Sequence, residues 1–188
     1  MMNNEIVIIA GPNGVGKTTF AKEFIRGRKG FDFLNSDEIA IELSPGDPSS
    51  KAIAAGKSFF RKLQEALENG RSVLIESTLA GRFLIKLISQ ARSKGYRVSI
   101  IFLFTDSASI LVERIRNRVA KGGHDVPAAD VIRRLERGRR NFIRIYKDLV
   151  DSWTLIYNTE GRFIDVAMRD NGEEQIFDEG LFARFVNL

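Results

Sequence analysis

Gly11-Pro12-Asn13-Gly14-Val15-Gly16-Lys17-Thr18 fills every fixed position of the pattern G-x-x-x-x-G-K-[ST], and its flanks leave few folds open. Before it, Glu5–Ala10 is a short β-branched run, the pattern of a buried strand. After it, Lys17–Arg26 carries Phe20, Phe24 and Ile25 at helical spacing and stops at Gly27. A strand, a glycine-rich turn and a helix in that order let successive backbone amides converge on phosphate oxygens at a helix N-terminus, which adds partial positive charge. Lys17 then reaches the β and γ phosphates. The Thr18 hydroxyl is the expected Mg2+ ligand, because a hard cation takes oxygen. Gly11, Pro12, Asn13, Gly14, Val15, Gly16, Lys17, Thr18 and Thr19 are therefore the expected nucleotide-binding residues, with ATP and Mg2+ as what they hold.

The rest of the chain extends the same alternation. Phe31–Leu34, Val73–Ile75, Val98–Phe104 and Thr154–Tyr157 read as strands. Between them, a short helix is expected after a Ser36-Asp37 cap, then helices over Ala52–Glu68, Leu84–Ala91, Ala108–Val119 and about Ala129 to Val150. Strands separated by helices imply an α/β fold of three layers with a mainly parallel sheet. Phe163–Met168 and Glu174–Phe177 flank Asp170-Asn171-Gly172 and read as a C-terminal hairpin before a short terminal helix. At 188 residues, one domain spanning the chain is expected, with a lid at about residues 119 to 130.

Composition removes several classes of chemistry. There are no cysteines, so disulfides, thiolate metal sites and cysteine nucleophiles are excluded. The longest apolar runs, Ile6–Ala10 and Ile100–Phe104, fall far short of the roughly 20 residues of a membrane span, and the start has no basic region ahead of an apolar stretch. A cytoplasmic setting with no membrane is the expectation. The net charge of +5 suits a polyanion or a pocket that holds several phosphate charges, and does not choose between them.

A phosphate loop alone leaves open a motor, a switch, a transporter ATPase or a kinase. Thr78-Leu79-Ala80-Gly81-Arg82 is a poor substitute for a transporter signature, and no Asn-Lys-x-Asp guanine motif occurs. A kinase needs a carboxylate near the γ-phosphate to orient a hydroxyl, and Asp37 follows a strand at the sheet edge where such loops converge. Equally, Asp37 caps its helix, or Glu38 is the working acid. Glu76 follows the strand Val73–Ile75, so its carboxylate is expected at the same end, holding Mg2+ through water or binding acceptor hydroxyls with Thr78. On the long helix, Val131, Leu135, Phe142 and Leu149 fall on one side and Arg133, Arg137, Arg140 and Arg144 on the other. That stripe reads mainly as a solvated face. It lacks the interleaved aromatics that base stacking uses, which argues against nucleic acid. The segment from Arg118 to Arg134 contains paired glycines, His124 and Pro127 and reads as a flap that closes over phosphates, with His124 in a loop role.

Four segments together resemble the zeta toxin family of P-loop kinases, especially its short stand-alone bacterial branch. They are Ala10 to Ala21, Asn35-Ser36-Asp37-Glu38-Ile39-Ala40, Glu76-Ser77-Thr78-Leu79-Ala80-Gly81-Arg82 and Gly122-Gly123-His124-Asp125-Val126-Pro127, with Trp153 and Asn158 beyond them. The resemblance runs from about Ile6 to Asn158. It implies an ATP:Mg-dependent kinase acting on a small-molecule acceptor, and a P-loop ATPase working on a protein or nucleic-acid partner is the alternative. It implies that Lys17 activates the γ-phosphate, Asp37 is the base, and Glu76, Thr78 and Arg82 line the acceptor site. Arg118 is implied as one catalytic arginine, and Arg134 is favoured over Arg133 and Arg137 as the second. Members of the family phosphorylate a uridine-diphosphate amino sugar and are held inactive by a small helical antitoxin, so a similar partner is implied here. This chain is shorter than those toxins.

Overall fold

The computed structural model describes residues 4–28, 30–123, 125–159 and 161–187. Its elements are β1 (Glu5–Ala10), α1 (Lys17–Arg26), β2 (Phe31–Leu34), α2 (Ser36–Leu43), α3 (Ala52–Glu68), β3 (Ser72–Ser77), α4 (Phe83–Ser93), β4 (Arg97–Phe104), α5 (Ala108–Ala120), α6 (Ala128–Arg144), β5 (Ser152–Thr159), β6 (Arg162–Asp170), β7 (Glu173–Ile176) and α7 (Glu179–Asn187). The seven strands form one sheet in the order β2-β3-β1-β4-β5-β6-β7. The first five are parallel, and β6 and β7 add antiparallel strands at one edge.

Alternation along β1 sorts the core into two layers. Ile6 and Ile8 join Phe59 and Leu63 of α3, Leu84 and Ile88 of α4, and Phe185 of α7, whereas Val7 and Ile9 join Ala21 of α1 and Leu111 and Ile115 of α5. A strand buried on both faces needs apolar residues at every position, as β1 has after Glu5. The expected three-layer α/β fold with its mainly parallel sheet is present, and so is the C-terminal hairpin. Asn171 and Gly172 both take positive φ, 50° and 86°, the torsions that an Asn-Gly hairpin turn requires.

Chain order explains where a ligand goes. From β1 the chain crosses to β2 on one side, and after β3 it returns past β1 to β4 on the other, which opens a crevice at the carboxyl end of β1. Helix α6 crosses that end of the sheet. Its Val131 belongs to the α5 layer and its Phe142 to the opposite layer.

Two expectations need correction. The long helix ends at Arg144 rather than Val150, because Ile145 leaves helical geometry (φ −133°, ψ −62°) and a 3-10 turn over Tyr146–Asp148 buries Tyr146 completely. The tyrosine hydroxyl donates to the Gly81 carbonyl at 2.7 Å, a tertiary contact that a continued helix would break. Strand β3 runs to Ser77, so Glu76 lies inside the strand instead of following it. Its carboxylate still reaches the crevice because it is the second-last residue. His124 lies outside the described residues.

Candidate functional site

The glycines of the phosphate loop are pinned by their surroundings. Gly11 (φ 135°) lies so close to the Leu103 carbonyl that a Cβ would collide with it. At Gly14 (φ 82°) a Cβ would stand 2.7 Å from the Leu111 carbonyl oxygen of α5, and at Gly16 (φ 96°) 2.7 Å from Asn158 Nδ2. Asn158 is buried and donates from that nitrogen to the Val15 carbonyl at 2.7 Å. The loop is thus clamped between β4, α5 and the end of β5, with its curl fixed before any ligand arrives. Sequence reasoning gave Asn158 no role beyond resemblance.

Around this loop lies a cleft of about 450 Å³ lined by Asn13, Gly14, Gly16, Lys17, Thr18 and Thr19 on one side, and by Asn35, Asp37, Glu76, Thr78, Phe83, Arg118 and Arg134 around it. Gly11, Pro12 and Val15 stand behind that surface and are buried. Lys17 Nζ donates to the carbonyls of Gly11 at 3.0 Å and Pro12 at 2.8 Å. Desolvation lowers its pKa to about 8, against the opposing pull of Glu76 and Asp37, with Arg118 and Arg134 adding to the drop. A triphosphate placed there reverses that balance and favours the ammonium.

Thr18 Oγ1 donates to Glu76 Oε2 at 3.1 Å, which links the start of α1 to β3. The other carboxylate oxygen, Oε1, is buried with no hydrogen-bond partner among the described residues. Burial pushes the Glu76 carboxyl above its usual range, with Lys17, Thr18 and Asn35 pulling it back. A hydroxyl and a carboxylate with a spare oxygen, both hard donors, fit Mg2+, which takes one or two protein oxygens and fills the rest of its shell with phosphate and water. No group of three or more His, Cys, Asp or Glu suited to a metal occurs among the described residues.

Asp37 is freed from capping duty. The N-cap of α2 is Asn35, not Ser36 as expected, and its Oδ1 accepts from the backbone N–H groups of Asp37 at 2.8 Å and Glu38 at 3.4 Å. Glu38 instead pairs with Lys22 at 3.5 Å. The Asp37 side chain lines the cleft.

The two arginines come from two neighbouring helices, α5 and α6. Arg118 sits in the last turn of α5, which Gly122 closes in the left-handed region (φ 85°). Gly123 then donates to the Arg118 carbonyl at 3.0 Å and leaves room for that arginine's side-chain stem. Arg134, on α6, donates from Nη1 to Asn13 Oδ1 at 3.1 Å and so bridges α6 to the phosphate loop. Arg133, Arg137, Arg140 and Arg144 are exposed, as a solvated stripe should be. Arg82 is exposed at the N-cap of α4, and its side chain is not among those lining the cleft.

The loop from Ser77 to Gly81 is held by α6 in a way the sequence reading missed. Gly138 passes against the Thr78 carbonyl with no room for a Cβ. Asn141 Nδ2 donates to the Leu79 carbonyl at 2.8 Å, and Tyr146 to that of Gly81. A glycine inside an otherwise strong helix costs about 1 kcal/mol relative to alanine, and that anomaly was the available signal of a close approach.

The AAA domain family model matches residues 6–145. Among solved structures, a chain of the PezAT chromosomal toxin-antitoxin system of Streptococcus pneumoniae is similar at 16% identity and a TM-score of 0.64, covering 87% of this chain and 72% of that one. AvrRxo1-ORF1:AvrRxo1-ORF2 with ATP is similar at 15% identity and a TM-score of 0.72, covering 97% of this chain; the present chain spans 63% of that one, under two thirds of its length. A gluconokinase from Sinorhizobium meliloti is similar at 17% identity and a TM-score of 0.50, with 82% of each chain covered. At these identities the likeness is one of fold, a P-loop kinase-like fold.

Proposed function

From the premise that this chain belongs to the AAA domain family of P-loop proteins, we propose that it is an ATP:Mg-dependent kinase that phosphorylates a hydroxyl of a small-molecule acceptor. The observation that carries the reading is the placement of Asp37. It is a carboxylate relieved of capping by Asn35, in the same cleft as Lys17, Thr18, Arg118 and Arg134, but on a different strand end from the phosphate loop. A hydrolase needs no second binding surface there. A transferase does.

The reaction in these terms is a single displacement. Asp37 accepts the proton of the acceptor hydroxyl, the hydroxyl oxygen forms a bond to the γ-phosphorus, and the bond from that phosphorus to the β–γ bridging oxygen breaks to release ADP. Lys17, Arg118 and Arg134 stabilise the negative charge spread over the transferring oxygens, and arginine keeps its charge at any physiological pH. Thr18 and Glu76 are the residues that would hold Mg2+, which would neutralise phosphate charge when bound. Glu76 and Thr78 face the acceptor side, while Arg82 reaches it only through a side-chain movement.

Support from relatives is of two kinds. The fold recurs in a gluconokinase and in a protein studied with ATP, which favours phosphoryl transfer. It recurs also in a toxin-antitoxin system, and a small helical antitoxin enters the proposal on that likeness and on the family resemblance. A nucleotide sugar is the acceptor that the resemblance suggests. A cytoplasmic setting, with ATP at hand, goes with the reading; among the described residues no helix is long and apolar enough to cross a membrane.

The test is labelled ATP with Mg2+ and a pool of cellular metabolites, run beside direct nucleotide-binding measurements. Lys17→Ala and Thr18→Ala are expected to lose nucleotide-dependent activity. Asp37→Asn is expected to keep nucleotide binding and lose transfer to any metabolite. Full transfer by Asp37→Asn would remove the base, and equal binding and turnover in Lys17→Ala would remove the site.

A further inference from the structure

Thr105 Oγ1 and Asn158 Oδ1 are buried and have no hydrogen-bond partner among the described residues. The two residues are 1% and 4% exposed. A hydroxyl and a carbonyl taken out of water without partners forfeit their hydration, a penalty that native folds rarely leave uncompensated.

Register brings the two residues together. Strands β4 and β5 are parallel with Phe104 opposite Tyr157, so Thr105 and Asn158 are the next positions along. Leu103 and Ile156 pack in the layer of α1 and α5, and Phe104 and Tyr157 in the opposite layer. Alternation returns Thr105 and Asn158 to the α1 side, where the phosphate loop lies. There β1 stops at Ala10, opposite Phe102, and β4 runs on beside the loop that leaves it. The next residue, Asp106, accepts from the Tyr157 hydroxyl and from Arg184, which pins the chain just after Thr105.

The Asn158 amide is oriented by its other end. Its Nδ2 donates to the Val15 carbonyl at 2.7 Å, and the reversed amide would set two carbonyl oxygens against each other. Oδ1 is therefore the end turned from Val15, with the Thr105 hydroxyl as the donor at the neighbouring register position. Paired strands lie about 4.8 Å apart, and one water spans a gap of about that size, accepting on one side and donating on the other. A buried site with two unmet polar groups is where proteins hold such a water.

We infer that one water is trapped between Thr105 Oγ1 and Asn158 Oδ1, and that Thr105 is through it a positioning residue for nucleotide binding. The Thr105 hydroxyl donates to the water, the water donates to Asn158 Oδ1, and the amide so held keeps its grip on the Val15 carbonyl. Val15 and Gly16 retain their curl, and the loop amides stay aimed at phosphate. The inference rests on nucleotide binding at the phosphate loop and is independent of the acceptor.

The test measures Kd for a non-hydrolysable ATP analogue with Mg2+, together with melting temperature, in the wild-type chain, Thr105→Val, Thr105→Ser, Asn158→Ala and the double variant Thr105→Val with Asn158→Ala. Valine keeps the shape and β-branching of threonine and removes the hydroxyl. Analogue binding is expected to weaken about tenfold in Thr105→Val, the upper scale of one lost hydrogen bond, and to stay at the wild-type level in Thr105→Ser. In the Asn158→Ala background, Thr105→Val is expected to change Kd by less than about twofold, because both residues act through one contact. A threonine that only fills the core would lower the melting temperature of Thr105→Val without moving Kd, and that result overturns the inference, as does full additivity of the two substitutions. A crystal structure of the wild-type chain needs no variant to fold: an ordered water within hydrogen-bond distance of both oxygens is expected, and a direct Thr105–Asn158 hydrogen bond or a dry contact removes the water. A wild-type chain that does not bind the analogue loses the nucleotide site itself, whereas normal wild-type binding with an unchanged Thr105→Val variant removes the role of Thr105 alone.

Discussion

Gly138, in the middle of α6, rests against the carbonyl oxygen of Thr78 with no space for a Cβ between helix and loop. One helix therefore touches both sides of the cleft, through Gly138 and Asn141 on the loop at Thr78 and Leu79 and through Arg134 on the phosphate loop. Gly138→Ala sets two effects against each other. Helix propensity favours alanine by about 1 kcal/mol, while forcing α6 off the loop costs about 1–3 kcal/mol. Urea unfolding is expected to show a net loss of stability, and transfer should fall more than nucleotide affinity does. A more stable and equally active variant would mean that the helix rides freely over the loop.

Lys17 gives a pH dependence with a definite sign. Its pKa near 8 in the ligand-free cleft lies below the usual lysine value, so above pH 8 the side chain is largely neutral until a triphosphate restores its proton. Nucleotide affinity is expected to weaken as pH rises through 8, with proton uptake on binding that grows toward pH 9. Calorimetry in buffers of different ionisation enthalpy measures that uptake directly. Release of protons at pH 9 would contradict it.

The two neighbouring arginines of α6 are predicted to differ. Both pair with Asp130, Arg133 at 2.9 Å and Arg134 at 3.7 Å, but Arg134 lines the cleft and contacts Asn13 whereas Arg133 is exposed. Steady-state kinetics should show a loss of about a hundredfold or more in kcat for Arg134→Ala, the scale of removing one preorganised donor to a developing anion, and little change for Arg133→Ala. The reverse order would move the second catalytic arginine to position 133.

How far the sequence carried follows from the range of the interactions involved. The phosphate loop, the strand before it, the helix after it and the hairpin at Asn171-Gly172 are written in local spacing, and they appear where that spacing put them. The end of α6 was not legible, because nothing between Ile145 and Val150 breaks a helix by propensity; the break comes from Tyr146 reaching Gly81, 65 residues away in the chain. The cap of α2 fell on Asn35 rather than Ser36 for a related reason: two good capping residues stand side by side, and the sheet decides which leaves β geometry last. Asn141 and Asn158 carry no spacing signature, since each acts across the fold.

Asn158 is accordingly a test of preorganisation. Asn158→Ala removes the donor to the Val15 carbonyl and is expected to cost about 1–3 kcal/mol of stability, the cost of a buried group left unpaired. Denaturant titration checks the stability, and the affinity for an ATP analogue should drop with it as the loop loses its clamp. Unchanged affinity in a destabilised variant would confine Asn158 to the core.

Leu79 is the remaining point of tension. It and Asn171 are the non-glycine residues with positive φ among those described, and for a leucine the 52° torsion costs about 1–2 kcal/mol. Its side chain is only 1% exposed, the Ser77 hydroxyl accepts from its N–H at 3.1 Å, and Asn141 holds its carbonyl. A segment fixed so firmly has spent its torsional freedom during folding. A ligand that met the neighbouring Ser77 and Thr78 would therefore not have to freeze the wall it leans on.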